Sequence, residues 1–487
     1  MTWTNELPAI LPELLLTGYA FLLLLAAVLF PREQRRWVGY LALVCTAVTL
    51  VIVVRSWMQL PVGPLEVFGG LFTLDPFSLF FKVVFLVVTL LTILVSLRSV
   101  DEEEDDSGGE YYALLMFATL GMMFLASASD LLMMFVAIET MSLSSYILVG
   151  YLQRDRQSNE AAVKYFVLGA FSSGILAFGM SLVYGATGAT GFHAIAAAAS
   201  AAPGAPLLVF GMILVLVAFG FKVAAVPFHM WVPDVYQGAP SPVTAFISTA
   251  GKAAAFAVLV RLLAVAFLPL GEIWQELVAF LALTSMTVGN VAAIRQDNMK
   301  RMLAYSSIAH AGYVLMGLLA IGGGGEVGSF GLTAVAIYLF IYGFMNVGAF
   351  GFVIWLRSED LVGDRIADFG GLSRRAPLAA FAVLVLMLSL AGIPATAGFV
   401  GKWYLFGAAI QANYVWLAIA AVLNSAISLY YYLRVVVVMY VGEPIAMEPR
   451  SASPFVVLAL AICLGFTVVI GCYPQPLIEM ARAALLH

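Results

Sequence analysis

Glu139, Lys222, Lys252 and Lys402 each place a titratable side chain inside a long apolar run. Removing an amine from water disfavours its charged form, so a desolvated lysine can exchange its proton near neutral pH. Arginine stays charged in any site. All of the lysines (Lys82, Lys164, Lys222, Lys252, Lys300 and Lys402) lie in or at the edge of an apolar run, whereas most arginines fall between runs. An ionisable group at a bilayer centre costs at least about 2.5–3.5 kcal/mol on insertion scales. Several of them together imply a use, and the chemistry they offer is the uptake and release of protons.

The local sequence around these residues is unusual. The stretch FGFKVAAVPFHMWVPDVYQGAPSPVTAFISTAGK at 219–252 carries Lys222 and then Pro227. Proline cannot donate to the carbonyl of Val223, so the helix should break beside a lysine within the membrane. Backbone freed there must meet protein or water. The expectation is a hydrated cavity containing an amine. A second break is expected in LSLAGIPATAGFVGKW, where Lys402 follows Pro394 by eight residues. Helical spacing puts Lys252 on one face with Thr244 and Ser248, and Glu139 with Ser142 and Tyr146. At about 4 Å, with an effective dielectric near 20, a Glu139–Lys222 pair would interact by about 4 kcal/mol, enough to switch the amine between its forms. Polar stripes at Ser306, His310 and Tyr313, at Tyr338, Tyr342 and Asn346, and at Ser425, Ser428 and Tyr432 could join them. With Lys164 and Ser172 they would form a chain of side chains and water along the membrane midplane.

Other assignments compete. Lys82 reads as a lysine that snorkels or pairs structurally. Lys164, near a span end, fits either a relay or an anchor. His310 is a relay or a satisfied core histidine, and His229 a relay or a cap on carbonyls freed by Pro227. Arg261 and Arg434, towards span ends, read as anchors. GGGGEVGSFG at 322–331 contains GxGxxG, but no strand precedes it, so it is not a nucleotide fingerprint.

These residues need a membrane scaffold. Of 487 residues 63% are hydrophobic and 10% charged, with a mean hydropathy of +1.02. Soluble domains carry about a quarter charged residues, so the chain is an all-α integral membrane protein. About fourteen transmembrane helices follow from runs of about 20 apolar residues. They lie near 9–30, 37–57, 75–98, 111–127, 130–151, 160–185, 206–236 (broken), 240–266, 272–294, 299–321, 329–357, 376–410 (broken), 414–440 and 454–473. A solvated acidic loop, DEEEDD, occupies 101–106. The first run has no basic residues ahead of it and reads as a retained span. Arg32, Arg35, Arg36, Arg154, Arg156, Arg295, Lys300, Arg301, Arg357, Arg365, Arg374, Arg375 and Arg450 all fall on one side of this count, against Arg482 on the other. The positive-inside rule then places both termini on the non-cytoplasmic side.

A shift of 167 residues pairs Asp130 with Asp297, Tyr146 with Tyr313, Gly150 with Gly317 and Pro227 with Pro394. Five spans make one period, an odd number, so the copies are inverted. Asp130 would open its helix from outside and Asp297 its own from inside, and each copy contains a discontinuous helix. The division is 1–110 (helices 1–3), 111–270 (first inverted repeat), 271–441 (second inverted repeat) and 442–487 (helix 14). Cys45, Cys463 and Cys472 have no metal or disulfide spacing. With no phosphate loop or flavin motif, neither metal nor redox cofactor is expected on this chain. Nucleic acid is excluded as a partner.

Three stretches resemble a known family: residues 222–248 (KVAAVPFHMWVPDVYQGAPSPVTAFIS), 298–313 (NMKRMLAYSSIAHAGY) and 391–403 (AGIPATAGFVGKW). The sequence is similar, over about residues 10–475, to the antiporter-like membrane subunits of proton-pumping NADH–quinone oxidoreductase, respiratory complex I, which are related to Mrp-type cation/proton antiporters. The resemblance implies fourteen helices in two inverted five-helix repeats. It assigns proton translocation to Glu139, Lys222, Lys252 and Lys402, with Lys164 and His310 as further relays. Lysine at 402 resembles the N-type rather than the M-type, and the short C-terminus lacks the lateral helix of the L-type. Partners would be the other membrane subunits in a bacterial inner membrane. NADH, flavin, iron–sulfur clusters and quinone would sit in partner subunits. A free-standing Na⁺/H⁺ antiporter subunit and an inert scaffold are the rival expectations.

Overall fold

The computed structural model describes residues 6–31, 34, 36–60, 63–97, 108–356, 363–443 and 453–485. The acidic run at 101–106 and Arg32, Arg35, Arg357 and Arg450 lie outside them. Helices dominate. Before the first half of the bundle come α1 (Leu11–Leu29), α2 (Arg36–Met58) and α3 (Pro76–Ser96). Next are α4 (Gly108–Ser127), α5 (Leu131–Val149), α6 (Arg156–Thr187) and a short connecting helix, α7 (Phe192–Ala201). The seventh span is interrupted: α8 (Pro206–Val223) and α9 (Trp231–Gly238) are separate helices, and α10 runs over Ser241–Ala266. Then follow α11 (Gly271–Ile294), α12 (Met299–Leu318) and α13 (Gly325–Leu356). A second interrupted span consists of α14 (Pro377–Ala391) and α15 (Ala397–Gln411), followed by α16 (Val415–Val441), α17 (Pro454–Cys472) and α18 (Gln475–Ala483).

Among the described residues thirteen helices are long and apolar enough to cross a membrane. The fourteenth crossing is the α14/α15 pair, whose halves of 15 residues each are too short to span alone. The expected all-helical architecture has one small exception. Leu65–Val67 pairs antiparallel with Phe72–Leu74 between α2 and α3. Strands of three residues carry no apolar run, so span counting passes over them.

Local chemistry sets the helix starts. Asp75 accepts from Ser78 N at 2.8 Å while Ser78 Oγ accepts from Asp75 N at 3.1 Å, a reciprocal cap with Pro76 at the first helical position. Asp130 caps α5 through Leu132 N at 2.7 Å. The corresponding start of α12 departs from expectation. Asn298, not Asp297, is the cap, accepting from Arg301 N at 2.9 Å. Asp297 instead faces out and its backbone carbonyl takes Ile366 N at 2.9 Å.

Burial separates an inner set of helices from an outer set. The most apolar windows of α10 and of the span containing α12 are 94% buried and that of α13 is 89%, against 33% for α16 and α17. The central axis is therefore built by α10, α12 and α13. Two glycines allow the close approach of α11 to α12. A Cβ on Gly289 would sit 2.6 Å from Ala309 N, and one on Gly312 2.7 Å from Met286 N. Arg261, near the end of α10, donates to both carboxylate oxygens of Asp75 (2.8 and 2.9 Å) and to Ala126 O, tying α10 to α3 and α4 as an anchor. Arg434 anchors α16 to the carbonyls of Ile294 and Gln296.

Candidate proton-transfer site

Lys222 lies in the last turn of α8, which ends with Ala224 in the left-handed region (φ 67°). Pro227 falls in the gap before α9. The freed backbone is met by protein at several points. Ala225 N bonds Gly220 O at 2.8 Å, Val226 N bonds Ser285 Oγ of α11 at 2.9 Å, and the Trp231 indole returns to Phe221 O at 3.1 Å. The side chain of Pro227 is exposed on the outer surface. His229 lies against the backbone of Pro227, in keeping with a cap on a freed carbonyl, although its buried Nδ1 does not reach full hydrogen-bond geometry.

The amine of Lys222 donates to Ser142 Oγ at 2.8 Å and lies 6.0 Å from the Tyr146 ring. Glu139, one turn earlier on α5, is half-buried and accepts from Ser173 Oγ of α6. The direct Glu139–Lys222 ion pair that the sequence suggested is therefore replaced. The amine is held by Ser142 of α5 and the carboxylate by Ser173 of α6.

Lys252 is 3% exposed at the centre of the bundle, just after a π-turn over Ile247–Gly251. Its amine donates to Ser307 O at 2.8 Å and to Ser307 Oγ, and lies 5.9 Å from the Tyr236 ring. Ser248, on the same face, accepts from Asn346 Nδ2 at 2.7 Å. Towards the second half, His310 bonds the Tyr338 hydroxyl through Nδ1 and the Tyr432 hydroxyl through Nε2 at 3.0 Å. Ser306 also reaches Tyr432. Lys402, 3% exposed, donates to Ala391 O at 2.8 Å and to Ser425 Oγ at 2.9 Å, with the Tyr313 ring 5.0 Å away. Pro394 lies between α14 and α15, and Gly392 (φ 86°) ends α14 against the lysine stem. A cavity of about 320 Å³, lined by Gly392, Lys402, Trp403 and Ser425, opens beside this amine.

The polar stripes of α12, α13 and α16 thus meet around His310. Aromatic rings run through the first half and reach the second: Tyr146 to Tyr165 (4.7 Å), Tyr165 stacked on Trp231 (4.5 Å), Trp231 to Tyr236 (6.1 Å) and Tyr236 to Phe350 of α13 (6.4 Å). The buried hydroxyl of Tyr146 approaches Ser142, and those of Tyr236 and Tyr342 approach Ser307, none with the geometry of a full hydrogen bond. Lys164 is not in this line. It is 42% exposed and pairs with Glu160 and Asp234, both at 2.8 Å. Ser172 turns to Ala218 O at 3.2 Å.

Several residues escaped the sequence analysis. Ser307 receives the Lys252 amine but carries no signal of its own beside Ser306. Ser173 lies on a half-exposed helix. Glu13, two residues into α1, was not singled out by its position in the sequence. It is fully buried and forms an ion pair with Lys82 at 2.7 Å, 0% exposed on both sides. Among the described residues no group of three or more His, Cys, Asp or Glu could hold a metal ion.

Comparison with known proteins fits this geometry. Residues 128–428 match the family described as NADH:quinone oxidoreductase/Mrp antiporter, TM. The chain is 43% identical over 486 residues to NADH-quinone oxidoreductase subunit N of Trichlorobacter lovleyi, covering 99% of this chain and 97% of that protein. It superposes on a chain of respiratory complex I from Thermus thermophilus with bound aureothin at a TM-score of 0.81 and 34% identity, covering 97% and 99% of the two chains. A chain of the Mrp complex from Dietzia sp. DQ12-45-1b has the same fold, with a TM-score of 0.85 at 23% identity over 99% and 97% of the chains. The chain belongs to the NADH:quinone oxidoreductase/Mrp antiporter membrane family, and within it groups with the chains named NADH-quinone oxidoreductase subunit N.

Proposed function

We propose that the chain is a proton-translocating membrane subunit of an NADH–quinone oxidoreductase. In this reading Glu139, Lys222, Lys252 and Lys402 load and release protons while quinone reduction proceeds in partner subunits. Those partners carry the flavin, iron–sulfur clusters, NADH and quinone. The assembly sits in a bacterial inner membrane with both termini on the non-cytoplasmic side. Residues 111–270 and 271–441 are its two inverted repeats, flanked by 1–110 and 442–487.

One observation carries the assignment of sites. Lys222, Lys252 and Lys402 each donate to a serine hydroxyl, of Ser142, Ser307 and Ser425, and none of the three is in an ion pair among the described residues. Lys82 and Lys164 are held by carboxylates. A carboxylate in contact favours the ammonium form, whereas a hydroxyl accepts from an ammonium and can donate to a neutral amine. The three serine-bonded lysines can therefore lose their proton without leaving a contacting carboxylate buried and unpaired. Glu139 lies near enough to Lys222 to bias it without locking it. The tyrosine hydroxyls beside Ser142 and Ser307, of Tyr146, Tyr236 and Tyr342, supply further donors and acceptors next to the Lys222 and Lys252 amines. His310, with both ring nitrogens on tyrosine hydroxyls, is the relay between Lys252 and Lys402.

Replacement of Lys222 by Met tests the proposal in the assembled complex. Proton-to-electron stoichiometry and coupled quinone reduction should fall, with NADH oxidation by an artificial acceptor nearly intact. Unchanged stoichiometry would count against the sites. Sodium-dependent pH change in vesicles without NADH and quinone would favour the ion-gradient antiporter instead.

A further inference from the structure

Asn290 of α11 is a fully buried amide that the proposed proton sites do not use. Its Nδ2 donates to the Tyr313 hydroxyl of α12 at 3.2 Å and to Asn424 Oδ1 of α16 at 3.4 Å, and its Oδ1 accepts from the Tyr431 hydroxyl at 3.0 Å. A carbonyl fixes which way round this amide sits. Ala420 O can only accept, so the group that meets it at 3.0 Å is Nδ2 of Asn424. Oδ1 of Asn424 then faces Asn290, which answers with Nδ2 and turns its own Oδ1 to Tyr431. Tyr313 is thereby gripped through its hydroxyl oxygen. An amide buried at this depth costs free energy unless its hydrogen bonds are made, and here all of them are.

What Asn290 grips is the ring beside a lysine. The Lys402 amine lies 5.0 Å from the centroid of the Tyr313 ring, within the range at which an aromatic face attracts a cation. The shift of 167 residues that pairs Tyr146 with Tyr313 gives the counterpart in the first half, where the Lys222 amine lies 6.0 Å from the Tyr146 ring. The halves differ in what surrounds that ring. The same shift sets Glu139 against Ser306 and Met123 against Asn290. At these positions the first half has a carboxylate and no amide, and the second an amide and no carboxylate. Tyr146 is correspondingly less firmly held, its hydroxyl approaching Ser142 without full hydrogen-bond geometry.

We propose that Asn290 is a positioning residue for Lys402: it holds the Tyr313 ring against the amine, and the ring supports the ammonium form there as Glu139 does beside Lys222. The inference rests on Lys402 being a proton-transfer site. A ring attracts an ammonium more weakly than a carboxylate does, so the amine keeps its freedom to give up the proton.

The test is proton-to-electron stoichiometry in vesicles that hold the whole complex, with NADH oxidation by an artificial acceptor reporting how much of it is assembled. Asn290→Leu releases the Tyr313 ring and should lower the stoichiometry of the assembled complex towards that of Lys402→Met. Adding Tyr313→Phe, whose ring packs without a hydrogen bond, should restore most of the loss, whereas adding Tyr313→Leu, which has no ring, should restore none. The same order is expected of Tyr313→Phe and Tyr313→Leu alone, so the ring is tested even where Asn290→Leu fails to assemble. An amide that only glues helices would reduce assembly and leave the stoichiometry of what assembles unchanged, and that result overturns the proposal. Equal pumping with phenylalanine and leucine at position 313 overturns it too. Normal stoichiometry in Lys402→Met would instead remove Lys402 from the proton sites, and with it the reading on which the inference rests.

Discussion

A buried lysine is defined by its nearest acceptor. Ser142, Ser307 and Ser425 leave the amines they contact free to be charged or neutral, and this makes the serines as informative as the lysines. Ser142→Asp or Ser425→Asp should place a carboxylate against the amine and hold it protonated by about 4 kcal/mol at 4 Å. Pumping should then collapse in an assembled, correctly folded complex, whereas Ser142→Thr, which keeps the hydroxyl, should preserve it. Proton uptake per NADH in vesicles distinguishes the two, and normal uptake in both aspartate variants would refute the switching argument. Lys82 is the opposite case. Its ion pair with Glu13 is sealed from solvent, so Glu13→Gln leaves an uncompensated charge and should cost about 3–5 kcal/mol. A thermal unfolding scan in detergent should register that loss, and the double change Glu13→Leu, Lys82→Leu should restore most of it.

At the scale of elements, the interrupted helices are what bring backbone and side chain together. In the second half the gap exposes Ala391 O, which takes both the Lys402 amine and the Ser425 hydroxyl (3.1 Å). In the first half α9 is pinned at one end by charges from both sides of the bundle. Asp234 receives Lys164 of α6 and Arg301 of α12, each at 2.8 Å, Arg301 also reaches Gln237 at 3.1 Å, and Lys300 donates to Ala239 O at 2.9 Å. A short helix held in this way ties α6 to α12. These pairs are one-third or more exposed on most of their members, so each contributes about 0–1 kcal/mol. Asp234→Asn should leave global stability almost unchanged and speed amide exchange across Trp231–Gly238, an effect that hydrogen–deuterium exchange resolves. Unaltered exchange there would show that packing alone fixes α9.

For the whole molecule, the question is whether the four sites act in series. Lys222, Lys252, His310 and Lys402 lie on α8, α10, α12 and α15 of one bundle. Sites in series share one flux, so their losses are not additive. The double variant Lys222→Met, Lys402→Met should pump no worse than the poorer single variant. Multiplication of the two defects would instead indicate independent proton paths in the two halves.

Much of this was legible in the residues. Runs of apolar side chains bounded the spans to within a few positions, because a bilayer demands about 20 apolar residues and satisfied backbone from every crossing. Proline inside such a run located both interruptions for the same reason. What no linear pattern held was the identity of the partner across helices. That Lys252 finds Ser307, that Lys82 finds Glu13 at a distance of 69 positions in the chain, and that Glu139 binds Ser173 in place of Lys222 all depend on how helices lie against one another. Helix spacing specifies a face, but only the packing of one face on another chooses the atom within 3 Å. That choice decides which amines are locked and which can switch.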